Sequence, residues 1–269
     1  MGNGGWQGRV ALVTGGSRGL GRAIAQALAA RGARVVIVAR GAEKLQAVAD
    51  ELAANGRDVL GVPADITRQE GVDEIFARTM ERFGRLDMLV NNAGRSARGA
   101  AIDTTPVEFA ELFDLNVVAL VRCTRAAMPQ LLAARGHLVN IGSLAGKSAA
   151  RYMGAYSATK HAVSAYSQQL RLELGPQGLH VLLVSPGPIA RDEPRVHDAE
   201  KLRALPSGAS KPGGGVKINL IDSNRLAERI LRACERRTPE LVVPGRARLI
   251  FAISQLWPTL GDWMIRKMS

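Results

Sequence analysis

A chain of 269 residues that is 46% hydrophobic can bury one full α/β core, and its length and composition exclude a disordered chain. No run of about 18 uncharged apolar residues is present, which excludes a membrane-spanning helix, and two distant cysteines, Cys123 and Cys234, exclude a disulfide framework and fit a reducing cytoplasm. A net charge of +12 favours phosphates, nucleic acid or an anionic membrane as partners, but neither zinc-finger spacing nor aromatic–basic interleaving marks a nucleic-acid module.

The first eight residues, MGNGGWQG, lack a basic start and an apolar stretch, and Trp6 stands where a myristoylation signal needs Ser or Thr. They read as a flexible leader, 1–8. Strands and helices then alternate. VALVT at 10–14 is a buried strand closed by glycines, and small and apolar residues over 20–31 make a helix. RVVIVA at 34–39 is a β-branched strand, 43–54 a helix and 58–62 a third strand. Thr67 is expected to cap a helix to residue 83, and a fourth strand spans 86–90. Thr105-Pro106 opens a long helix to residue 132, with the proline in its first turn. Strands at 137–141 and 180–184 flank a helix over 155–174. Residues 186–223, rich in Pro, Gly and charge, break the rhythm and read as a lid. A helix over 224–237 and a strand at 240–243 complete the domain, 9–245. The alternation implies right-handed crossovers and one parallel sheet with helices on both faces. The extension, 246–269, carries apolar residues near a helical period, with Pro258 starting a second short helix. Trp257, Trp263, Arg266 and Lys267 are what an interfacial anchor uses, so the extension is expected either to pack on the core or a partner subunit and roof the pocket, or to contact a membrane surface, with disorder as the third alternative.

The chemistry starts after the first strand, at Thr14-Gly15-Gly16-Ser17-Arg18-Gly19-Leu20-Gly21. Glycines let a backbone approach a pyrophosphate, and the next helix offers free N–H groups and a positive dipole. The second strand ends in Arg40, where a carboxylate would bind the ribose hydroxyls of NAD. With Arg18 it offers two guanidiniums to a 2′-phosphate, which predicts NADP(H). Tyr156 and Lys160, spaced i, i+4, share a helix face. Tyrosine is a poor acid or base at neutral pH unless a neighbouring cation favours its phenolate. Ser143, thirteen residues earlier, can donate to a substrate carbonyl.

TGGSRGLG at 14–21, Asn91-Asn92-Ala93-Gly94, Ser143 and Tyr156-x3-Lys160, in that order, make residues 8–190 resemble the short-chain dehydrogenase/reductase family. The resemblance implies a single-domain, Rossmann-type, doubly wound parallel sheet of about seven strands. It implies a catalytic set of Asn116, Ser143, Tyr156 and Lys160, with Asn116 bending the long helix and binding a water that feeds protons to the lysine. Lys160 would also hold the nicotinamide ribose. Cofactor contacts are implied for Gly15, Ser17, Arg18, Gly19, Leu20, Gly21, Arg40, Asp65, Ile66, Asn92, Ala93, Gly94, Tyr156, Lys160, Pro186, Gly187 and Ile189. Asp65 would meet the adenine, and Asn91 would support the adenosine side. The family places Thr two residues after Ile189; this chain has Arg191. A homodimer or homotetramer, pairing the helices over 106–132 and 155–174, is implied.

The resulting expectation is an NADP(H)-dependent enzyme interconverting a ketone and a secondary alcohol, on a hydrophobic, lipid- or steroid-like substrate. Lys147, Arg151, Tyr152 and Met153 are expected beside the substrate. A 3-oxoacyl-[acyl-carrier-protein] reductase-like activity is the alternative, and a non-catalytic NADP(H)-sensing regulator is the alternative from another class. Gly142-Ser143-Leu144-Ala145-Gly146 fails the serine-hydrolase motif, and the four histidines show no metal-type spacing. No metal is expected.

Overall fold

Short runs of Val, Ile, Leu and Ala without alternation need burial on both faces, which a parallel sheet roofed by helices provides. The computed structural model describes residues 5–54, 56–190, 205–206 and 219–268. Its seven strands are β1 (Val10–Thr14), β2 (Arg34–Ala39), β3 (Val59–Pro63), β4 (Met88–Asn91), β5 (His137–Ile141), β6 (His180–Pro186) and β7 (Glu240–Val243). They run parallel in the order β3-β2-β1-β4-β5-β6-β7. The crossovers are α1 (Gly19–Ala29), α2 (Ala42–Ala53), α3 (Gln69–Phe83), α4 (Pro106–Phe113) continuing through a π turn into α5 (Ala119–Ala133), and α6 (Tyr156–Leu174). α7 (Ser223–Glu235) precedes β7, and α8 (Ala247–Leu256) and α9 (Pro258–Met268) follow it.

One core packs α1, α2 and α7 against Val13, Ile37, Val90, Val139 and Val184. The other packs α3, α5 and α6 against Leu12, Val36, Leu89, Leu138 and Val181. Strand order reverses at β1, which pairs with β2 on one side and β4 on the other. The connections leaving β1 and β4 therefore diverge and open a crevice at their C-terminal ends, where such sheets bind nucleotides.

Several strands stand where the sequence places them, and other boundaries move by one or two residues. Two expectations are corrected. Thr67 does not cap α3, whose N-cap is Arg68. Its backbone N–H and hydroxyl instead donate to Asp65 Oδ1 at 2.9 and 2.8 Å, an Asx turn ahead of the helix. The leader is not loose over residues 5–8. Trp6 is 2% exposed, lies 5.4 Å from the His137 ring and donates from Nε1 to Glu235 Oε1 at 2.8 Å. Most of the expected lid, with Arg191, lies outside the described residues. Its two ends meet: Ile189 bridges Ile221, and Ala190 N–H donates to Ile221 O at 2.8 Å.

Candidate active site

The turn between β1 and α1 is strapped to the exit of β4. Thr14 Oγ1 accepts from Asn92 N and Ala93 N at 3.0 and 3.1 Å, and Asn92 Nδ2 donates to the carbonyls of Thr14 and Gly15 at 2.9 and 3.1 Å. A Cβ on Gly21 would run into the Gly15 carbonyl, so only glycine lets the first turn of α1 lie this close. Arg18, the N-cap of α1, supplies no side-chain cap, and the first turn carries no acid. The helix start is thus equipped for an external anion. Asn91 is buried, and its Nδ2 donates to Thr124 Oγ1 at 3.0 Å and Asn140 Oδ1 at 2.9 Å. It ties β4 to β5 and α5.

Arg40 is exposed at the end of β2. Arg40 and Asp65 follow the paired ends of β2 and β3, where Ala64 N–H donates to Ala39 O at 3.1 Å, and the Thr67 N–H holds the Asp65 carboxyl below its usual range, with a smaller contribution from the Arg40 guanidinium. Ile66 is buried beneath.

α6 opens on Tyr156, and Lys160 follows one turn later. Lys160 is buried; its Nζ donates to Ile141 O at 2.8 Å and lies 5.8 Å from the Tyr156 ring centroid. The long helix breaks register at Asp114–Val118, a π turn that contains Asn116; such turns insert one residue and re-aim a side chain. Asn116 Nδ2 donates to Arg95 O at 2.9 Å and Thr159 Oγ1 at 3.1 Å, while its Oδ1 accepts from Arg95 N at 2.9 Å. Thr159 Oγ1 in turn donates to Tyr156 O at 2.7 Å. A Cβ on Gly94 would stand 2.9 Å from Asn116 Oδ1 and 4.0 Å from Lys160 Nζ. The Asn-Asn-Ala-Gly loop, the π turn and the start of α6 therefore meet at one point. Ser143 follows β5, two residues past the carbonyl that holds Lys160. Its Oγ accepts from Ala145 N at 3.1 Å, and its own O–H can still donate. Pro186 ends β6, and Gly187 N–H donates to Val243 O at 2.8 Å, which puts Pro186, Gly187 and Ile189 on the same edge of the sheet.

Sequence reasoning misses Arg98, four residues beyond Gly94. Its Nη1 contacts Met153 Sδ and donates to Ala97 O at 3.3 Å, and Gly99 bridges Met153. Burial holds its guanidinium below the usual arginine range, and Tyr156 is near enough to oppose that shift. The one available signal is the basic stretch Arg95-Ser96-Ala97-Arg98. Of the residues expected beside the substrate, Met153 belongs to this cluster, whereas Lys147 pairs with Glu240 at 2.7 Å and Arg151 lies over the Tyr152 ring at 4.9 Å.

A second cluster also escapes the spacing. His137, His180 and Cys234 are buried with their ring nitrogens and Sγ within 4.8 Å of one another. The two Nδ1 atoms are 2.9 Å apart. Arg9 Nη1 lies 3.4 Å from His137 Nε2, and His180 Nε2 lies 2.8 Å from Thr238 O. A guanidinium only donates and a carbonyl only accepts, so His180 Nε2 donates and His137 Nε2 accepts. Both rings are then neutral, with His137 Nδ1–H donating to His180 Nδ1. Burial pushes His137 down to about 3 and lowers His180 as well. With its ring nitrogens engaged and Arg9 and Arg237 adding positive charge, the cluster is built as a neutral buried pair rather than a cation site.

A family model described as short chain dehydrogenase matches residues 9–199. An uncharacterized oxidoreductase of Staphylococcus aureus (strain MRSA252) is 38% identical over 180 residues, which are 66% of this chain and 77% of that protein. The crystal structure of a short chain dehydrogenase from Burkholderia cenocepacia J2315 in complex with NADP is 34% identical, with a TM-score of 0.76, and the match covers 90% of this chain and 99% of that one. L-sorbose reductase from Gluconobacter frateurii, complexed with NADPH and L-sorbose, is 27% identical with a TM-score of 0.77; that match covers 91% of this chain and 98% of the other.

Proposed function

The chain belongs to the short chain dehydrogenase family, and from that premise we propose that it is an NADP(H)-dependent reductase of a ketone to a secondary alcohol, with Tyr156 as proton donor. The observation that carries the reading is the meeting of Tyr156, Lys160 and Asn116 beside Gly94 at the open end of the sheet.

The residues fit a phosphorylated dinucleotide. The uncapped start of α1 and the close turn at Gly15–Gly21 suit a pyrophosphate, and Arg18 and Arg40 suit the extra phosphate where an acid would repel it. Asp65 and Ile66 stand at the adenine end; Asn92, Ala93, Gly94, Lys160, Pro186, Gly187 and Ile189 stand along the way to the nicotinamide end. The bound NADP complexes of two relatives at 27% and 34% identity support the same choice. When bound, the cofactor supplies the hydride.

The side chains do the rest. Ser143 donates a hydrogen bond to the carbonyl oxygen and fixes its direction. Tyr156 gives its phenolic proton to that oxygen as negative charge develops there. The Lys160 ammonium stabilises the phenolate left behind. Asn116 holds the Arg95 backbone and Thr159, and so sets the start of α6 on which Tyr156 is carried.

The substrate we infer is a bulky hydrophobic ketone, a reading supported by the apolar extension after β7. Arg98, near Tyr156, favours a second reading, a 3-oxoacyl group delivered on an acidic carrier, although the neighbouring exposed Arg95 is paired with Glu111 at 3.2 Å. Turnover of NADPH with a panel of free ketones and carrier-bound oxoacyl groups separates the two. Tyr156→Phe is expected to lower kcat by roughly a hundredfold or more while NADPH binding, followed by fluorescence, stays within about twofold. Full turnover in that variant would assign the proton to another group, and binding without turnover in the unaltered chain would favour a cofactor sensor.

A further inference from the structure

α8 and α9 form a hairpin in which Gly261 is buried directly against Ser254. Ala247 is buried beneath it, and Ile250, Phe251, Ile253, Met264 and Ile265 are half-buried. The opposite side is apolar and bare. Leu249 is 69% exposed, Leu256 68%, Trp257 59%, Leu260 45% and Trp263 53%. Five of the eleven large hydrophobic side chains exposed among the described residues therefore fall within this hairpin. Their spacing, 249, 256, 260 and 263, keeps them along one stripe of each helix.

Charge says what covers the stripe. Arg246 at the start of the hairpin and Arg248, Arg266 and Lys267 within it are all exposed, Asp262 is the one acid of residues 246–268, and the whole chain carries +12. The Lys267 ammonium lies 5.1 Å over the Trp263 ring, a cation and an indole at the edge of the apolar strip. A second copy docking by a two-fold would face these four cations with the same four. An anionic lipid surface complements them, takes the leucines into its acyl boundary and accepts the indoles at headgroup depth. No helix among the described residues is long and apolar enough to cross a membrane.

We propose that the α8–α9 hairpin is an interfacial anchor that docks the protein on anionic lipid bilayers. This inference does not depend on the reductase reading.

The experiment uses the full chain with vesicles of equal parts phosphatidylcholine and phosphatidylglycerol, beside vesicles of phosphatidylcholine alone. The expected result is sedimentation with the anionic vesicles, weakened by salt. Tryptophan fluorescence is expected to be quenched by brominated lipid, because Trp257 and Trp263 are exposed whereas Trp6 is buried. Trp257→Ser with Trp263→Ser, and separately Arg266→Glu with Lys267→Glu, are each expected to lower partitioning by about tenfold. Their unchanged thermal unfolding would show that the fold is intact, since all four side chains are exposed. Absence of sedimentation, or partitioning unchanged by both double variants, overturns the proposal. A fall in solution mass on replacing the two tryptophans, with no vesicle binding by the unaltered chain, assigns the stripe to a second copy and overturns it equally.

Discussion

Arg40 stands at the end of β2, where a carboxylate would hold ribose hydroxyls, and its charge acts on Asp65 just past the end of the neighbouring β3. Replacing it with Asp removes a charge-assisted contact and puts a like charge against a phosphate. The expected loss is about 1.5–3 kcal/mol, roughly ten- to hundredfold in the Kd for NADPH, with the Kd for NADH little changed. Isothermal titration of both cofactors checks it; equal affinities in the unaltered chain would remove the basis for an NADP(H) assignment. At this scale the sequence is informative where chemistry needs a fixed local spacing. Tyr156 and Lys160 share a helix face by counting alone, and Arg40 is found by its distance from the glycine turn. Arg98 and Asn91 are not found that way. What each does depends on which neighbour the fold brings to it: Met153 and Tyr156 for the arginine, Thr124 and Asn140 for the asparagine.

Among the elements, strands are legible because burial on both faces leaves a plain apolar run between glycines and polar turns. Helix starts are harder, since Ser, Thr and Asp compete for the same backbone donors. At residues 65–68 the carboxylate of Asp65 takes the Thr67 hydroxyl and N–H, and Thr67 loses the role its type suggests. Trp6 is harder still. One aromatic among glycines has no period to reveal it, yet it closes the end of the sheet between His137 and Glu235. Trp6→Ala is expected to cost about 3–5 kcal/mol of stability, read as a lower urea midpoint. A midpoint shift worth less than about 1 kcal/mol would return residues 5–8 to the status of a leader.

Over the whole molecule, pH acts through the pair that joins β5 to β6. His137 and His180 are 43 residues apart in sequence and become neighbours only by cross-strand register, which is why spacing hides them. The folded chain holds His137 neutral down to about pH 3, whereas an unfolded histidine takes its proton near 6.5. Above pH 6.5 neither state is protonated at this ring and the pair contributes no pH dependence. As pH falls below 6.5 the unfolded state gains a proton that the folded state refuses, and stability drops. The loss from His137 reaches about 2 kcal/mol at pH 5, and His180 acts in the same direction. Urea unfolding at pH 7.5 and 5 measures it. In His137→Leu the difference between the two pH values is expected to shrink; an unchanged difference would place the proton uptake elsewhere.

The bond from Trp6 to Glu235 spans 229 residues, nearly the full domain. On a ribosome adding about 5–20 residues per second, the indole waits roughly 10–50 s for its carboxylate to be made. Throughout that interval the first strand can pair with the second and the fourth, and the indole can meet the His137 ring, but its N–H has no acceptor from the last helix before β7. The burial of this side chain is thus completed only when the last helix before β7 has been made, which ties the closing of the sheet's first end to the final part of the domain's synthesis.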